Sequence, residues 1–188
     1  ANTHHHHDQI GGNDQVIAAT GAKLVAHKDA MDSIPGVNTG LIAGDDLQCG
    51  EITLKVMDTP GHTMSHICLY FQGSAEEQPA LFCGDTLFNA GVGRCDFGGE
   101  PKILHKTFED QIFPLADNVR IFPGHDYIEN NLEFTLDREP DNEQALSLRL
   151  TRRLIPNTSS NQRFNLQRTA SRDCSDVLLW IRNFDVLR

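Results

Sequence analysis

The sequence lacks paired cysteines, long apolar runs and an excess of basic residues. Its five cysteines stand at positions 49, 68, 83, 95 and 174, with no CxxC spacing, which argues against a disulfide framework and favours a reducing compartment. No apolar stretch reaches the roughly 20 residues that span a bilayer, and no charged-then-apolar signal segment is present. We therefore expect a cytoplasmic protein without a membrane partner.

Acidic residues outnumber basic ones by 26 to 16, which gives a formal net charge of -10. An acidic chain repels a phosphate backbone unless a local basic patch overrides the net charge. Only Arg149, Arg152 and Arg153 form such a patch, and it is weak. We expect no nucleic-acid partner. A length of 188 residues allows one substantial core with a small appendage.

Histidines crowd the first thirteen residues, ANTHHHHDQIGGN. His4, His6 and Asp8 occupy every second position, and alternate side chains of extended backbone project to the same side. His4 and His6 could therefore chelate one ion, while His5 and His7 face the other way. A purification tag is the alternative source of consecutive histidines, but three ligand-type motifs further along the chain favour a functional cluster.

Those three motifs each follow a predicted strand. His62 stands in DTPGHT after the strand 52–57, Asp85 in CGDT after the strand 79–83, and His125 in PGHDY after the strand 119–122. Imidazole and carboxylate donors without cysteine are typical of catalytic zinc, iron or manganese sites that keep positions open for water. One such residue alone is more often structural, but their joint occurrence predicts a metal site, and Asp85 could bridge two ions.

The remaining pattern predicts short strands mixed with helices, and hence a layered α/β fold. Asn13 is the expected N-cap of the first helix, and Gly21 its end. Further strands are predicted at 22–26 and 66–71, and helices at 14–20, 102–115, 131–138, 142–154 and 177–184.

Four motifs together resemble the metallo-β-lactamase-fold hydrolases, and within them the glyoxalase II (hydroxyacylglutathione hydrolase) family. They are THHHHDQ for the signature THxHxDH, DTPGHTMSHICLYF, LFCGDTLFNAGVGR and FPGHDYIENNLEF. The resemblance continues into the tail, where FNLQRTAS looks like the glutathione-contacting segment of the family.

The resemblance implies an αββα sandwich whose first strands are apparently missing from this chain, followed by a C-terminal helical segment. We expect a catalytic domain over residues 1–130 and a helical substrate-binding segment over 131–188. The implied reaction is metal-dependent hydrolysis of an S-2-hydroxyacylglutathione, such as S-lactoylglutathione, to a 2-hydroxy acid and glutathione. The implied metal ligands are His4, His6, Asp8, His62, Asp85 and His125.

Residue roles beyond ligation are also implied by the resemblance. Asp8 would ligate the metal or orient the attacking hydroxide, which makes it the candidate catalytic residue. Arg94, Tyr127 and Arg168 would bind the substrate, since arginine suits the two carboxylates of glutathione.

Two departures from the family pattern leave alternatives open. Gln9 replaces a histidine that ligates the second metal, so we expect one or two ions with a weakened second site. The loop GRCDF at 93–97 resembles that of iron-dependent persulfide dioxygenases. A glutathione persulfide dioxygenase and a non-catalytic metal- or glutathione-binding module are therefore the alternatives. An incomplete sheet has an unpaired edge, and we expect a monomer or a homodimer.

Overall fold

The computed structural model describes residues 1–154, which form seven strands and five helices in four layers. The strands are β1 (Val25–His27), β2 (Thr39–Leu41), β3 (Asp46–Cys49), β4 (Ile52–Asp58), β5 (Ile67–Phe71), β6 (Ala80–Gly84) and β7 (Arg120–Pro123). The helices are α1 (His7–Ile10), α2 (Asn13–Thr20), α3 (Pro101–Thr107), α4 (Ile128–Arg138) and α5 (Glu143–Leu154). A single π-helical turn, Phe108–Ile112, continues α3.

The central sheet has five strands in the order β3-β4-β5-β6-β7. Neighbours from β3 to β6 are antiparallel, whereas β6 and β7 are parallel. Side chains of β5 alternate between two cores, with Ile67 and Leu69 on one face and Cys68 on the other. This sheet is buried on both faces at β5, which explains why the strand reads as a continuous apolar run.

One face of this sheet packs against α3 and the π-helical turn. Leu104, Phe108 and Ile112 supply the helical side of this core and are at most 5% exposed. The sheet side consists of Cys68, Leu81, Cys83 and Ile121, together with Val119 directly before β7. These helical residues recur every four positions, so they lie on one stripe of the helix.

The other face packs against a small parallel sheet of β1 and β2. Leu41 of β2 shares a core with Leu54, Val56, Ile67 and Leu69. The far side of the small sheet carries a third core, in which Leu24 and Ala26 contact Ile10 of α1 and Ile17 of α2. The order of layers is therefore helix, sheet, sheet, helix, which confirms the predicted αββα sandwich.

Most predicted elements are confirmed, with shifted ends. The structure adds β2 and β3, which lie where the sequence predicted neither strand nor helix. Neither was detected because β2 has only three residues and the edge strand β3 has mostly exposed side chains. The predicted N-cap was wrong, since Gly12 occupies that position. Asn13 instead donates a side-chain hydrogen bond to the Asn2 side chain at 2.9 Å. Gly21 ends the helix in the left-handed region, as expected.

The helical segment predicted after the sandwich is present as α4 and α5. Leu132 of α4 packs against Ala145 of α5. The division at residue 130 stays a prediction, and the predicted helix 177–184 lies outside the described residues. Among the helices within residues 1–154, none combines the length and apolar character that a bilayer crossing requires.

The shared core between the two sheets generates a stability prediction. We expect Ile67→Ala to lower the free energy of unfolding by about 2–5 kcal/mol, the usual cost of truncating a fully buried isoleucine. Ile52→Ala, on the same sheet but 41% exposed, is the matched control and should cost much less. Urea unfolding of both variants measures the difference, and equal losses would contradict this core assignment.

Candidate metal centre

The predicted metal ligands meet at one end of the sandwich because of how the strands end. β6 and β7 run parallel, so Asp85 and His125, which follow them, emerge at the same sheet edge. The amide of Gly124 donates to the carbonyl oxygen of Gly84 at 2.8 Å and holds the two strand ends together. His62 reaches this edge from the loop after β4.

The histidine run joins the site because the chain before it is hydrogen-bonded into the sandwich. Asn2 N–H donates to the Val25 carbonyl, and the Thr3 carbonyl accepts from Ile67 N–H, both at 2.9 Å. His4 follows Thr3 directly and is only 1% exposed. A buried histidine held in this way is part of the fold, which excludes the purification-tag alternative.

Three imidazole rings, those of His4, His6 and His62, form the first half of the site. One ligand atom from each lies within 4.8 Å of the others. The ring centroids are 4.7 to 4.8 Å apart, and the rings are nearly perpendicular to one another. Burial lowers the pKa of His4 to about 3 and that of His62 to about 4, so both are neutral at pH 7.

Two of these histidines have their outer nitrogens bound to backbone carbonyls. His62 Nδ1 donates to the Arg94 carbonyl at 2.6 Å, and His6 Nε2 donates to the Phe97 carbonyl at 3.0 Å. In a neutral imidazole the other nitrogen then carries a lone pair. These lone pairs, on His6 Nδ1 and His62 Nε2, face each other at 3.0 Å.

Facing lone pairs repel unless a cation lies between them. His4 Nε2 adds a third buried nitrogen that has no hydrogen-bond partner among the described residues. The donor set therefore fits a divalent ion, since neutral imidazole is the form that binds metal and carbonyl acceptors orient it.

Asp85 lies between this histidine group and a second group. Its Oδ2 is 3.6 Å from His62 Nε2 and 3.5 Å from His125 Nε2. In the second group, His125 Nε2 is 2.9 Å from Asp8 Oδ2 and 3.1 Å from Gln9 Nε2. Asp85 Oδ1 is buried without a hydrogen-bond partner among the described residues, which is the condition that a bound cation would relieve.

Two glycines allow the backbone to approach these ligands. A Cβ on Gly93 would lie 2.0 Å from the Asp85 carbonyl oxygen and 2.6 Å from His62 Nδ1. A Cβ on Gly124 would lie 2.4 Å from Asp85 Oδ1. All three distances are far below contact range, so no larger residue fits at either position without displacing a candidate ligand.

Residues 1–125 match the sequence family described as the metallo-beta-lactamase superfamily. This chain belongs to the metallo-beta-lactamase superfamily. Superfamily membership implies divalent metal ions at this site, in agreement with the donor set.

Individual relatives narrow the comparison. Over 148 residues the chain is 59% identical to the hydroxyacylglutathione hydrolase of Nitrosococcus oceani, covering 78% of this chain and 55% of the relative. It is 57% identical to that of a Polaromonas species with the same coverage. The crystal structure of ETHE1 from Myxococcus xanthus is similar with a TM-score of 0.58 and 30% identity, covering 66% of this chain and 52% of that one. The chain thus spans about half the length of the curated relatives it matches.

Alternation along an extended backbone predicts that Asp8 lies beside His4 and His6, but the structure places it elsewhere. The extended backbone ends at His6, and α1 begins at His7. Asp8 is therefore in a helical turn, and its half-exposed carboxylate contacts His125 rather than the His4 group. His7 is exposed, and His5 packs its ring against His6 at 5.3 Å, as expected for residues that face away from the site.

The candidate substrate residues lie at the rim of the centre. The Arg94 guanidinium forms two hydrogen bonds with the Asp96 carboxylate and lies over the Phe97 ring, 4.7 Å from its centroid. Tyr127 is 45% exposed and stacks on His125 with ring centroids 4.9 Å apart. Arg168 lies outside the described residues.

Sequence reasoning missed the residues that hold the ligands in place. The carbonyls of Arg94 and Phe97 are backbone groups, which no side-chain motif records. His66, completely buried beside His4, was assigned to a strand without a role. Its signal was a histidine placed at the start of an apolar strand, where burial of an imidazole requires partners.

Burial raises the pKa of Asp85 to about 6 from its ordinary 3.8, and nearby His125 opposes the shift. The contribution of this carboxyl to stability is therefore complete below about 3.8 and is lost as the pH rises through 6. We expect Asp85→Asn to stabilise the metal-free protein at pH 7.5 by about 1–3 kcal/mol, because each pKa unit corresponds to about 1.4 kcal/mol.

Urea unfolding in the presence of a chelator measures this effect. The gain should disappear as the pH falls from 7.5 to 4. The exposed Asp32→Asn is the control and should show no such pH dependence. A gain for Asp85→Asn that is equal at both pH values would contradict the cost of ionising this buried carboxylate.

Proposed function

We propose that this chain carries the catalytic site of a metal-dependent thioesterase that hydrolyses S-2-hydroxyacylglutathione, such as S-lactoylglutathione, to a 2-hydroxy acid and glutathione. The observation that carries the proposal is the convergence of four histidines and two carboxylates in a chain 59% identical to a hydroxyacylglutathione hydrolase. The chain spans only part of that relative, so the whole activity is an inference.

We assign His4, His6 and His62, with Asp85, to a first ion, and Asp8 and His125, again with Asp85, to a second. Imidazole and carboxylate donors suit zinc, iron or manganese. Gln9 stands 3.1 Å from His125, where a neutral amide is a poor ligand. We therefore propose that the first ion is held tightly and the second weakly.

When bound, a divalent ion supplies a Lewis acid that activates water and polarises the thioester carbonyl. The protein's own side chains and backbone carbonyls position the reacting groups. The Asp8 carboxylate is at the opening beside His125, where it can orient a water molecule and accept its proton. The carbonyls of Arg94 and Phe97 keep the ring nitrogens of His62 and His6 turned towards the site.

Substrate binding would use the exposed rim. Arg94 and Tyr127 lie on the two sides of the centre, next to His62 and His125 respectively. A glutathione carboxylate could bind Arg94 only by sharing its guanidinium with Asp96 or by replacing that carboxylate. Arg168 completes the proposed contacts. We also propose a cytoplasmic location and a monomer or homodimer.

A second candidate is an iron-dependent glutathione persulfide dioxygenase. The loop GRCDF at 93–97 and the weakened second site favour it, because one ion would suffice. The non-catalytic binding module remains a third outcome, in which the metal binds without turnover of either substrate.

Parallel assays of the metal-loaded chain test these candidates. We expect S-lactoylglutathione hydrolysis and no oxygen uptake with glutathione persulfide. His6→Ala should lose more than about 100-fold of the hydrolysis rate, beyond the usual cost of losing an outer-shell partner. His7→Ala, from the same histidine run but exposed, should keep the rate.

Each other outcome selects a different function. Oxygen uptake with one iron per chain and no hydrolysis would identify the dioxygenase. Full metal occupancy without either reaction would identify the binding module.

Metal stoichiometry tests the role of Gln9. We expect one tightly held ion in the unsubstituted chain and two in Gln9→His, because the added imidazole would supply the missing second-site donor. Elemental analysis after dialysis against a weak chelator measures both. Gln15→His, on the exposed face of α2, is the control and should not change the count. Two tightly held ions in the unsubstituted chain would refute the weakened second site.

A further inference from the structure

His66 stands directly before β5 and is completely buried behind the metal centre. Its ring stacks on that of His4, with centroids 5.0 Å apart and planes 22° apart. None of the functions assigned above uses this residue. Both ring nitrogens of a buried imidazole need hydrogen-bond partners, and these partners show which parts of the chain the residue connects.

The first partner is the backbone of Asp85. The amide N–H of Asp85 donates to His66 Nε2 at 3.2 Å. Since an amide can only donate, Nε2 must carry a lone pair, and the proton of the neutral ring must be on Nδ1. The tautomer of His66 is therefore determined by the residue that lies between the two halves of the metal centre.

The second pair of partners anchors the other side of the ring. His66 Nδ1 lies 3.0 Å from Thr59 Oγ1 and 3.1 Å from Thr86 Oγ1, so a hydroxyl oxygen is available to accept its proton. Thr59 begins the loop that carries His62, and Thr86 follows Asp85. The ring thus connects the two loops behind the candidate ligands.

The backbone before Asp85 is too close to the ring for a side chain. Gly84 has a φ of +48°, and a Cβ there would lie 2.9 Å from His66 Nε2 and 2.4 Å from Thr3 Oγ1. This close approach places the Asp85 amide against Nε2. The carboxylate of Asp85 has no hydrogen bond at Oδ1 among the described residues, and its Oδ2 has only contacts of 3.5 and 3.6 Å to His125 and His62, so its placement relies on its backbone.

We propose that His66 is a positioning residue, which fixes the Asp85 carboxylate in the metal centre by accepting the Asp85 amide hydrogen bond. The alternative is a packing role, in which only the volume of the ring matters. The positioning role requires a hydrogen-bond acceptor at the position of Nε2 in any side chain that replaces the imidazole. The packing role requires only a similar volume.

Glutamine and asparagine separate these roles. The Oε1 of a glutamine can reach the position of Nε2 and accept from Asp85, whereas the shorter asparagine side chain ends near the position of Nδ1. We expect His66→Asn to weaken Zn²⁺ binding by about 10–100-fold, the usual cost of losing an outer-shell hydrogen bond. His66→Gln should keep most of the affinity of the unsubstituted chain.

Chelator competition with Zn²⁺ on the full chain measures affinity, and urea unfolding of the metal-free variants reports whether each one folds. The absorption spectrum of the Co²⁺-loaded protein should change in His66→Asn and stay similar in His66→Gln, because it reports the ligand arrangement. Equal affinities in the two variants, whether retained or lost, would overturn the proposal.

A measurement on the unsubstituted protein keeps the test independent of variant folding. Nitrogen-15 NMR should show His66 with its proton on Nδ1 and an unprotonated Nε2. A proton on Nε2 would overturn the proposal, since that nitrogen could not then accept from Asp85. No readout uses a substrate, so a failure of the thioesterase proposal would leave this result intact, and the reverse also holds.

Discussion

The candidate metal centre is built around two imidazole nitrogens, His6 Nδ1 and His62 Nε2, that face each other at 3.0 Å with their lone pairs. Backbone carbonyls accept hydrogen bonds from the opposite nitrogens, which favours the tautomer of each neutral ring with its lone pair turned inwards. Such an arrangement is unfavourable without a cation, so the rest of the fold must impose it. The sandwich does so by clamping the segment before His4 between β1 and β5 and by burying His62 behind the glycine at position 93.

The parallel pair at the end of the central sheet supplies the second constraint. Parallel strands bring their carboxyl ends to one edge, and this edge is where loops can carry reactive side chains on a rigid base. Asp85 and His125 are neighbours for this reason, although forty residues separate them along the chain. The ionised, buried carboxylate of Asp85 destabilises the metal-free fold. The same negative charge favours the binding of a cation at this position.

The sequence predicted that His62, Asp85 and His125 follow strand ends and come together, because a polar residue after an apolar run and a glycine turn is a local signal; their role as metal ligands stays a prediction. It misplaced Asp8, since nothing in the histidine run indicates that helix α1 begins at His7. It also missed β2 and β3, where short or exposed strands leave no alternation to detect. His66 was overlooked because its role depends on Asp85, nineteen residues away, which no local pattern reveals.

The loop at 93–99 contacts the candidate ligands through its backbone, whereas the side chains of Arg94, Asp96 and Phe97 are exposed. Phe97 is 64% exposed, and its carbonyl orients His6. Every amino acid has the same carbonyl, so residues 94 and 97 can change in identity without altering the tautomers of the histidines beneath them. The exposed side chains of this loop can therefore vary while its backbone keeps the two histidine rings oriented.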